Sequence, residues 1–413
     1  MRVLYFHQHF STPDGAAGTR SYEMARQLLR EGHKVTMVCG SYAQGATGLA
    51  GSFSKGRRRG EVDGIDVIEF DLSYSNKQGF LARAMAFLKF ALLSVWIALR
   101  EPYDVVFATT TPLTAGIPGI FARWLRRKPF VFEVRDLWPE LPREMGVITN
   151  PVVLGMLSLL EWVSYRSAHR CVALSPGIAA GIAARGVSEA RICMVPNGCD
   201  LSLFSDVPRK MRPDGIGDHD LVAVFSGTHG VANGLGAVLD AARVLEQRGR
   251  NNIKLVLIGD GGEKAALVEQ AASMQLGNLL FMDPVPKRAL AGYLAGADIG
   301  LQVLKNVPAF YYGTSPNKFF DYIAAGLPVL NNYPGWLAEM ITENQCGFAV
   351  PPDSPEAFAD ALEQASGDRA RLREMADNAR RLAEREFDRH LLASRWVAWV
   401  TAGQVSSREG GNA

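Results

Sequence analysis

The sequence predicts a two-domain α/β protein built on two doubly wound, mostly parallel sheets. Three observations carry this expectation. The chain has 413 residues, too long for one ordinary core and suited to two domains of roughly 200 residues each. Short β-branched runs alternate with segments of helical period from end to end, which is the pattern of βαβ units. The alternation breaks once, in a polar stretch with Pro and Gly from Ser205 to Asp220, and restarts at Leu221.

In order, the first series of strands is expected at 3–6, 34–39, 66–70, 105–109, 130–134, 170–174 and 192–195. The second is expected at 221–225, 254–258, 279–282, 299–303 and 329–331, with helices over 235–247 and 263–274. A last helix around 389–401 holds Leu391, Leu392, Trp396 and Trp399 at near-helical spacing. Its apolar face needs a partner, and crossing back onto the first domain supplies one. The expected boundaries are therefore 1–205 with the returning segment 388–405, and 206–387. The tail 406–413 is expected to be disordered. Ligands of open parallel sheets bind beyond the carboxyl ends of the strands, so two facing domains imply a cleft with its chemistry on those loops.

Composition narrows the class. Hydrophobic residues make up 48% and charged residues 21%, with 41 Gly and 21 Pro spread along the chain, the profile of a globular enzyme. The net charge of +2 hides an asymmetry: residues 1–200 carry 23 Lys+Arg against 17 Asp+Glu, and the remainder 21 against 25. A balance this weak excludes a nucleic-acid binder, while a basic first half suits an anionic lipid or acceptor. The five cysteines, at 39, 171, 193, 199 and 346, form no metal-type spacing and read as reduced thiols. MRVLYFHQHF runs directly into a strand without a leader pattern, so a cytoplasmic location is expected.

The segment Phe80–Leu99 has the length of a membrane span but contains Arg83 and Lys89, whose cost at mid-bilayer argues against spanning. Two readings stay open. It is a buried helix on the first sheet, or an interfacial helix with Trp96, Phe87 and Phe90 among lipid headgroups. The basic runs Arg57-Arg58-Arg59 and Arg123 with Arg126-Arg127-Lys128 favour the second, and a further apolar helix over 152–163 joins the same surface or core.

Four loops carry candidate chemistry. Gly15-Ala16-Ala17-Gly18-Thr19-Arg20 follows the first strand and opens a helix, where free N–H groups and the dipole attract phosphate. Ile258-Gly259-Asp260-Gly261 repeats that arrangement in the second half; both also fit plain strand-to-helix turns. Ser315-Pro316-Asn317-Lys318-Phe319-Phe320-Asp321 reads as a helix start near Ser315, with Ser315 or Asn317 in the capping region and Pro316 at its first position, ending at Gly326. Lys318 there suits a pyrophosphate, and Asp321, three residues on and on the same face, suits ribose hydroxyls; the alternative is a surface Lys/Asp pair. Finally, strand 130–134 runs into Arg135-Asp136 and Glu140. Asp136 or Glu140 can orient or deprotonate an acceptor hydroxyl, or Arg135 and Asp136 form a structural pair. His7 and His9, at the end of strand one, can line the same place.

The run Ser315–Val329, with Val224-Phe225-Ser226-Gly227-Thr228-His229-Gly230, Gly259-Asp260-Gly261 and Cys346–Pro352, resembles the family-4 retaining glycosyltransferases over nearly the whole chain. PNKFFDYIAAG is most similar to the subgroup acting in O-antigen, capsular and exopolysaccharide assembly, which includes L-fucosamine transferases. The resemblance implies a GT-B fold, no metal or cofactor beyond a UDP-sugar donor substrate, and retention at the anomeric carbon. It makes Asp321 the second, ribose-binding acid of the family's E-x7-E motif. The first acid would fall at 313, where this chain has Gly313. The family's Arg and Lys that grip pyrophosphate have no match in 227–236, leaving Lys318 as replacement beside Thr228, Thr314 and Ser315.

Asp283-Pro284-Val285-Pro286 is similar to the base-contacting loop, with Val285 reading uracil. The resulting expectation is donor binding by Gly15, Gly18, Arg20, Gly227, Thr228, Gly259, Val285, Ser315, Asn317, Lys318 and Asp321, and catalysis by Asp136, Arg135 and Glu140. The expected partners are a nucleotide sugar, a lipid-linked saccharide acceptor and the inner membrane's cytoplasmic face. Two rivals remain: an epimerase or soluble disaccharide synthase of the same fold, and a nucleotide-sugar-binding protein without catalysis, suggested by Gly313.

Overall fold

The computed structural model describes residues 1–15, 18–43, 45–74, 78–205, 207 and 209–402. Ala16 and Ala17 of the first glycine loop, and the tail 406–413, lie outside the described residues. The chain divides into two compact units. Unit 1 comprises Met1–Pro196, Gly313–Ser315 and His390–Ala413; unit 2 comprises Asn197–Tyr312 and Pro316–Arg389.

Unit 1 is built on eight strands: β1 (Arg2–Phe6), β2 (Lys34–Tyr42), β3 (Arg57–Val62), β4 (Ile65–Tyr74), β5 (Val105–Thr109), β6 (Phe130–Val134), β7 (Arg170–Ala173) and β8 (Ile192–Met194). Their order is β3-β4-β2-β1-β5-β6-β7-β8, parallel throughout except for the antiparallel edge pair β3/β4. The order reverses at β1/β5, and there the topology leaves a crevice beyond the strand ends. Its helices are α1 (Arg20–Arg30), α2 (Phe80–Arg100), α3 (Ile117–Leu125), α4 (Glu140–Glu144), α5 (Pro151–Ser167) and α6 (Pro176–Ala184).

Alternation along the strands sorts the helices. Leu4, Phe6, Val106, Ala108, Phe130 and Phe132 pack in one cluster with Phe90 and Ile97 of α2, Ala122 of α3 and Tyr165 of α5. On the opposite face, Tyr5 and Phe107 meet Trp396 of the helix Arg389–Thr401, with ring centroids 5.9 and 4.7 Å away. Gln27 of α1 donates to Ser394 Oγ at 3.0 Å on the same side. The last helix thus completes the core of unit 1 from the far end of the sequence.

Unit 2 has six strands, β9 (Leu221–Ser226), β10 (Ile253–Ile258), β11 (Leu279–Met282), β12 (Ile299–Gln302), β13 (Val329–Asn331) and β14 (Gly347–Ala349), all parallel in the order β11-β10-β9-β12-β13-β14. Its reversal falls at β9/β12.

Three expectations need correction. The sequence reading missed β3 and β14, a polar edge hairpin and a three-residue edge strand too short for a period. The run Arg57-Arg58-Arg59 is the start of β3, where Arg58 lies opposite Glu69 and pairs with it at 2.8 Å, and Arg59 pairs with Asp66 at 2.6 Å and Glu101 at 2.9 Å. Arg58 and Arg59 are therefore neutralised within the protein, whereas Arg57 lies opposite Phe70. Finally, the helix expected from Ser315 runs Asn317–Ala324; Pro316, at ψ 126°, is itself the extended cap residue, and no side chain caps this helix.

Candidate functional site

In unit 2 the candidate residues gather at the carboxyl ends of β9, β10 and β11. The loops after β9 and β10 interlock: Gly227 N–H donates to Ile258 O at 3.0 Å, His229 N–H to Asp260 O at 2.9 Å and Glu263 N–H to His229 O at 2.9 Å. The fit admits no side chain at Gly259, where φ is +152° and a Cβ would stand 1.9 Å from Gly227 O. Gly259 is buried in this contact, so its glycine is required by loop packing, in keeping with the plain strand-to-helix turn that the sequence also allows. Gly227 and Thr228, by contrast, are exposed.

Lys318 reaches this loop. Its ammonium donates to Asn233 Oδ1 at 2.5 Å and lies 4.4 Å from the Phe225 ring centre. Asn233 in turn donates through Nδ2 to Thr228 O at 2.7 Å. Desolvation holds the Lys318 pKa down at about 7, because neutral partners replace water poorly around an ammonium. The alternative reading, a surface Lys318/Asp321 pair, is not what the described residues form. Asp321, buried, instead meets Lys287 of the helix Lys287–Gly296 at 3.2 Å. Lys287 is two residues past Val285, half-buried in the loop after β11. That loop is tied down by Lys264, which donates to Gly259 O, Met282 O and the Asp283 carboxylate at 2.9, 3.1 and 2.7 Å.

His229 is fully buried between the rings of Phe225 and Phe281, and burial, then the charge of Lys264, lowers its pKa to about 4. Asn233, Lys264, Lys287 and His229 were all missed by sequence reasoning. Asn233 lies in the segment searched for a basic pair, and a search for any side chain able to hold a cation there would have found it.

Asn317 opens the unit 2 helix that carries Lys318, and the remaining donor candidates belong to unit 1. Gly18 is exposed, and Gly15 packs so tightly that a Cβ would sit 2.2 Å from Ser11 Oγ. Ser315 falls in the short segment Gly313–Ser315. Arg20 is not placed for phosphate. Its guanidinium is committed to Glu133 at 2.8 Å and to the carbonyls of Val195 and Pro196 at 2.8 and 2.7 Å, with side-chain exposures of 5% for Arg20 and 0% for Glu133. Burial pushes the Glu133 carboxyl up, but Arg20 and the Thr109 hydroxyl more than offset it and leave its pKa lowered.

At the β1/β5 reversal, Arg135 and Asp136 do come together with strand-one residues. Arg135 N–H donates to Thr110 Oγ1 at 2.8 Å, and its guanidinium lies 3.3 Å from His7 Nε2. Arginine only donates, so Nε2 accepts and the His7 proton sits on Nδ1, for which no acceptor is found among the described residues. Burial, then Arg135, keeps the His7 pKa well below its usual value. Asp136 accepts from Thr111 Oγ1 at 3.0 Å, and burial raises its pKa. This arrangement offers a carboxylate of raised basicity, Asp136, next in sequence to the arginine that holds a neutral imidazole. Glu140, at the start of α4, acts instead on Glu161 of α5. Burial pushes Glu161 up to about 7, Arg185 opposes, and the charge of Glu140 adds to the rise.

Comparison with known proteins agrees with these two halves. A Glycosyl transferase 4-like domain matches residues 15–198, and a Glycosyl transferases group 1 domain matches residues 206–382. The amylovoran biosynthesis glycosyltransferase AmsK of Erwinia amylovora is 26% identical over 215 residues, covering 52% of this chain and 50% of that protein. The chain spans about half the length of the curated relatives it matches. Among solved structures, sucrose-phosphate synthase from Thermosynechococcus elongatus superposes with a TM-score of 0.72 at 16% identity, over 98% of each chain. Anabaena Alr3699/HepE in complex with UDP and glucose gives 0.68 at 17% identity, over 97% of this chain and 100% of that one. With both domain families matched in series on two Rossmann-like units, the chain belongs to the GT4, group 1 type glycosyltransferases and has the GT-B fold.

Proposed function

We propose that the protein is a retaining glycosyltransferase that moves a sugar from a UDP-sugar to a hydroxyl of a saccharide linked to undecaprenyl diphosphate. In this reading it works on bacterial surface polysaccharide at the cytoplasmic face of the inner membrane, without a metal. The observation that carries it is Lys318: an ammonium with depressed pKa, held by a neutral amide and an aromatic face at the mouth of the first loop of unit 2. A diphosphate there regains the charge pairing that desolvation removed.

Unit 2 then holds the donor: Lys318 and the N–H groups at Asn317 meet the phosphates, Gly227 and Thr228 lie alongside, Asp321 accepts from ribose and Val285 faces the base. As the glycosidic bond breaks, charge develops on the leaving diphosphate, which Lys318 and the helix dipole stabilise. Unit 1 supplies Asp136 for the acceptor hydroxyl, with Arg135 and His7 beside it. The similarity to AmsK, a glycosyltransferase of amylovoran biosynthesis, supports the surface-polysaccharide role. The resemblance of PNKFFDYIAAG makes an L-fucosamine-type donor sugar the first to test.

A screen of UDP-sugars by thermal shift identifies the donor, since a ligand of the native state raises its apparent stability. Release of UDP in EDTA then measures turnover. Full turnover by Lys318→Ala at saturating donor would overturn the phosphate assignment, and a strict need for divalent metal would overturn the metal-free mechanism.

A further inference from the structure

The helices α2, α3 and α5 lie side by side on one face of the unit 1 sheet, α3 in contact with both others. Trp124 Nε1 donates to Ser167 Oγ at 2.8 Å, linking α3 to α5. Their inner sides form the core with Phe90, Ile97, Ala122 and Tyr165. Their outer sides are also apolar: Leu81, Leu92, Trp124, Met156, Leu159 and Trp162 are 50–81% exposed. Soluble proteins rarely leave so much contiguous apolar surface without a use for it.

The charges on this face have one sign. Neither α2 nor α3 contains an acidic residue, and the one acid of α5, Glu161, is buried and paired with Arg185 at 3.0 Å. Lys89 and Arg100 on α2, Arg123 on α3 and Arg166 on α5 are exposed. At the end of α2, Trp96 is bracketed by the guanidinium groups of Arg57 and Arg100, 5.1 and 4.7 Å from its ring centre.

We infer that this three-helix face docks flat on an anionic phospholipid surface, with its Trp, Leu and Met side chains among the acyl chains and its Lys and Arg side chains at the phosphates. The charge pattern selects this occupant. A second copy would bring cation against cation, and an acid-poor apolar face with basic margins matches an anionic interface. Spanning is excluded by packing. Although α2 is long and apolar enough to cross a membrane, crossing would strip Phe90, Ile97 and Ala98 from the sheet and place Lys89 near mid-bilayer. The inference rests on the proposed lipid-linked acceptor for its purpose, but its test needs no acceptor.

The full-length protein is floated with vesicles of phosphatidylcholine alone or with phosphatidylglycerol, and UDP-sugar binding is measured on the same samples. Preferential flotation with the anionic vesicles is expected. Leu92→Glu with Met156→Glu lowers partitioning about tenfold or more, while melting temperature and UDP-sugar affinity stay unchanged because both side chains are exposed. Lys89→Gln with Arg123→Gln removes the preference for phosphatidylglycerol. Failure of the wild type to float, or equal flotation of the Glu variant, overturns the inference. Light scattering that shows a dimer dissolved by the Glu variant overturns it too, in favour of a second copy. Flotation without UDP-sugar binding would instead defeat the proposed donor and leave this surface standing.

Discussion

At the scale of single residues, Lys318 and Arg20 show that a basic side chain takes its role from its partners. Lys318 has neutral partners and a pKa near 7. An anion favours its charged form, so binding at higher pH requires uptake of a proton. UDP-sugar affinity is therefore full below about pH 7 and weakens by up to about tenfold per unit above it, until the raised pKa of the complex is passed. Calorimetry with a UDP-sugar at pH 6.5 and 8.5 measures this, and Lys318→Ala removes the dependence. Arg20 already has a carboxylate. Arg20→Ala leaves Glu133 buried without its counter-ion and costs about 3–5 kcal/mol in denaturant unfolding, while UDP-sugar affinity of the folded protein is retained. A loss of affinity at unchanged stability would restore Arg20 to the donor site.

At the scale of elements, the loops of unit 2 behave as one piece. Gly259→Ala pushes a methyl group into Gly227 O and forces a left-handed φ on a residue with a Cβ, so it destabilises by more than about 1 kcal/mol and lowers UDP-sugar affinity through the displaced β9 loop. Chemical denaturation and calorimetry on one variant read both effects. Gly313 is the opposite case. A Cβ there meets no atom within 4 Å, so Gly313→Glu, which restores the family's acid, stays within about 0.5 kcal/mol of wild-type stability and is checked by melting. The three arginines of β3 show why a charge run misleads. Each strand residue faces one cross-strand neighbour, and the register sets Glu69 opposite Arg58.

At the scale of the molecule, unit 1 is discontinuous in sequence. Trp396, fully buried against Tyr5 and Phe107, closes its sheet from more than two hundred residues beyond β8. Trp396→Ala is expected to cost about 3–5 kcal/mol. A fragment ending at residue 196 lacks this covering face and should fail to fold cooperatively, as read by its near-ultraviolet circular dichroism. Restoring a native-like spectrum by adding a peptide of residues 389–402 would identify the missing helix as the cause.

The two doubly wound domains were legible from the sequence alone, because a buried parallel strand must be continuously apolar and its helix must keep a 3.6-residue period wherever it packs. The strand ends and glycine turns of the candidate site were legible for the same reason, and Lys318 and Asp136 were candidates by residue type. The partner of each polar side chain was decided only in three dimensions. Glu133 lies more than a hundred residues from Arg20, and Lys287 more than thirty from Asp321, yet these contacts turn one expected phosphate ligand into a structural pair and give Asp321 a cation other than Lys318. Local sequence carries periodicity and turn chemistry, whereas charge compensation depends on which strands and loops the topology makes neighbours.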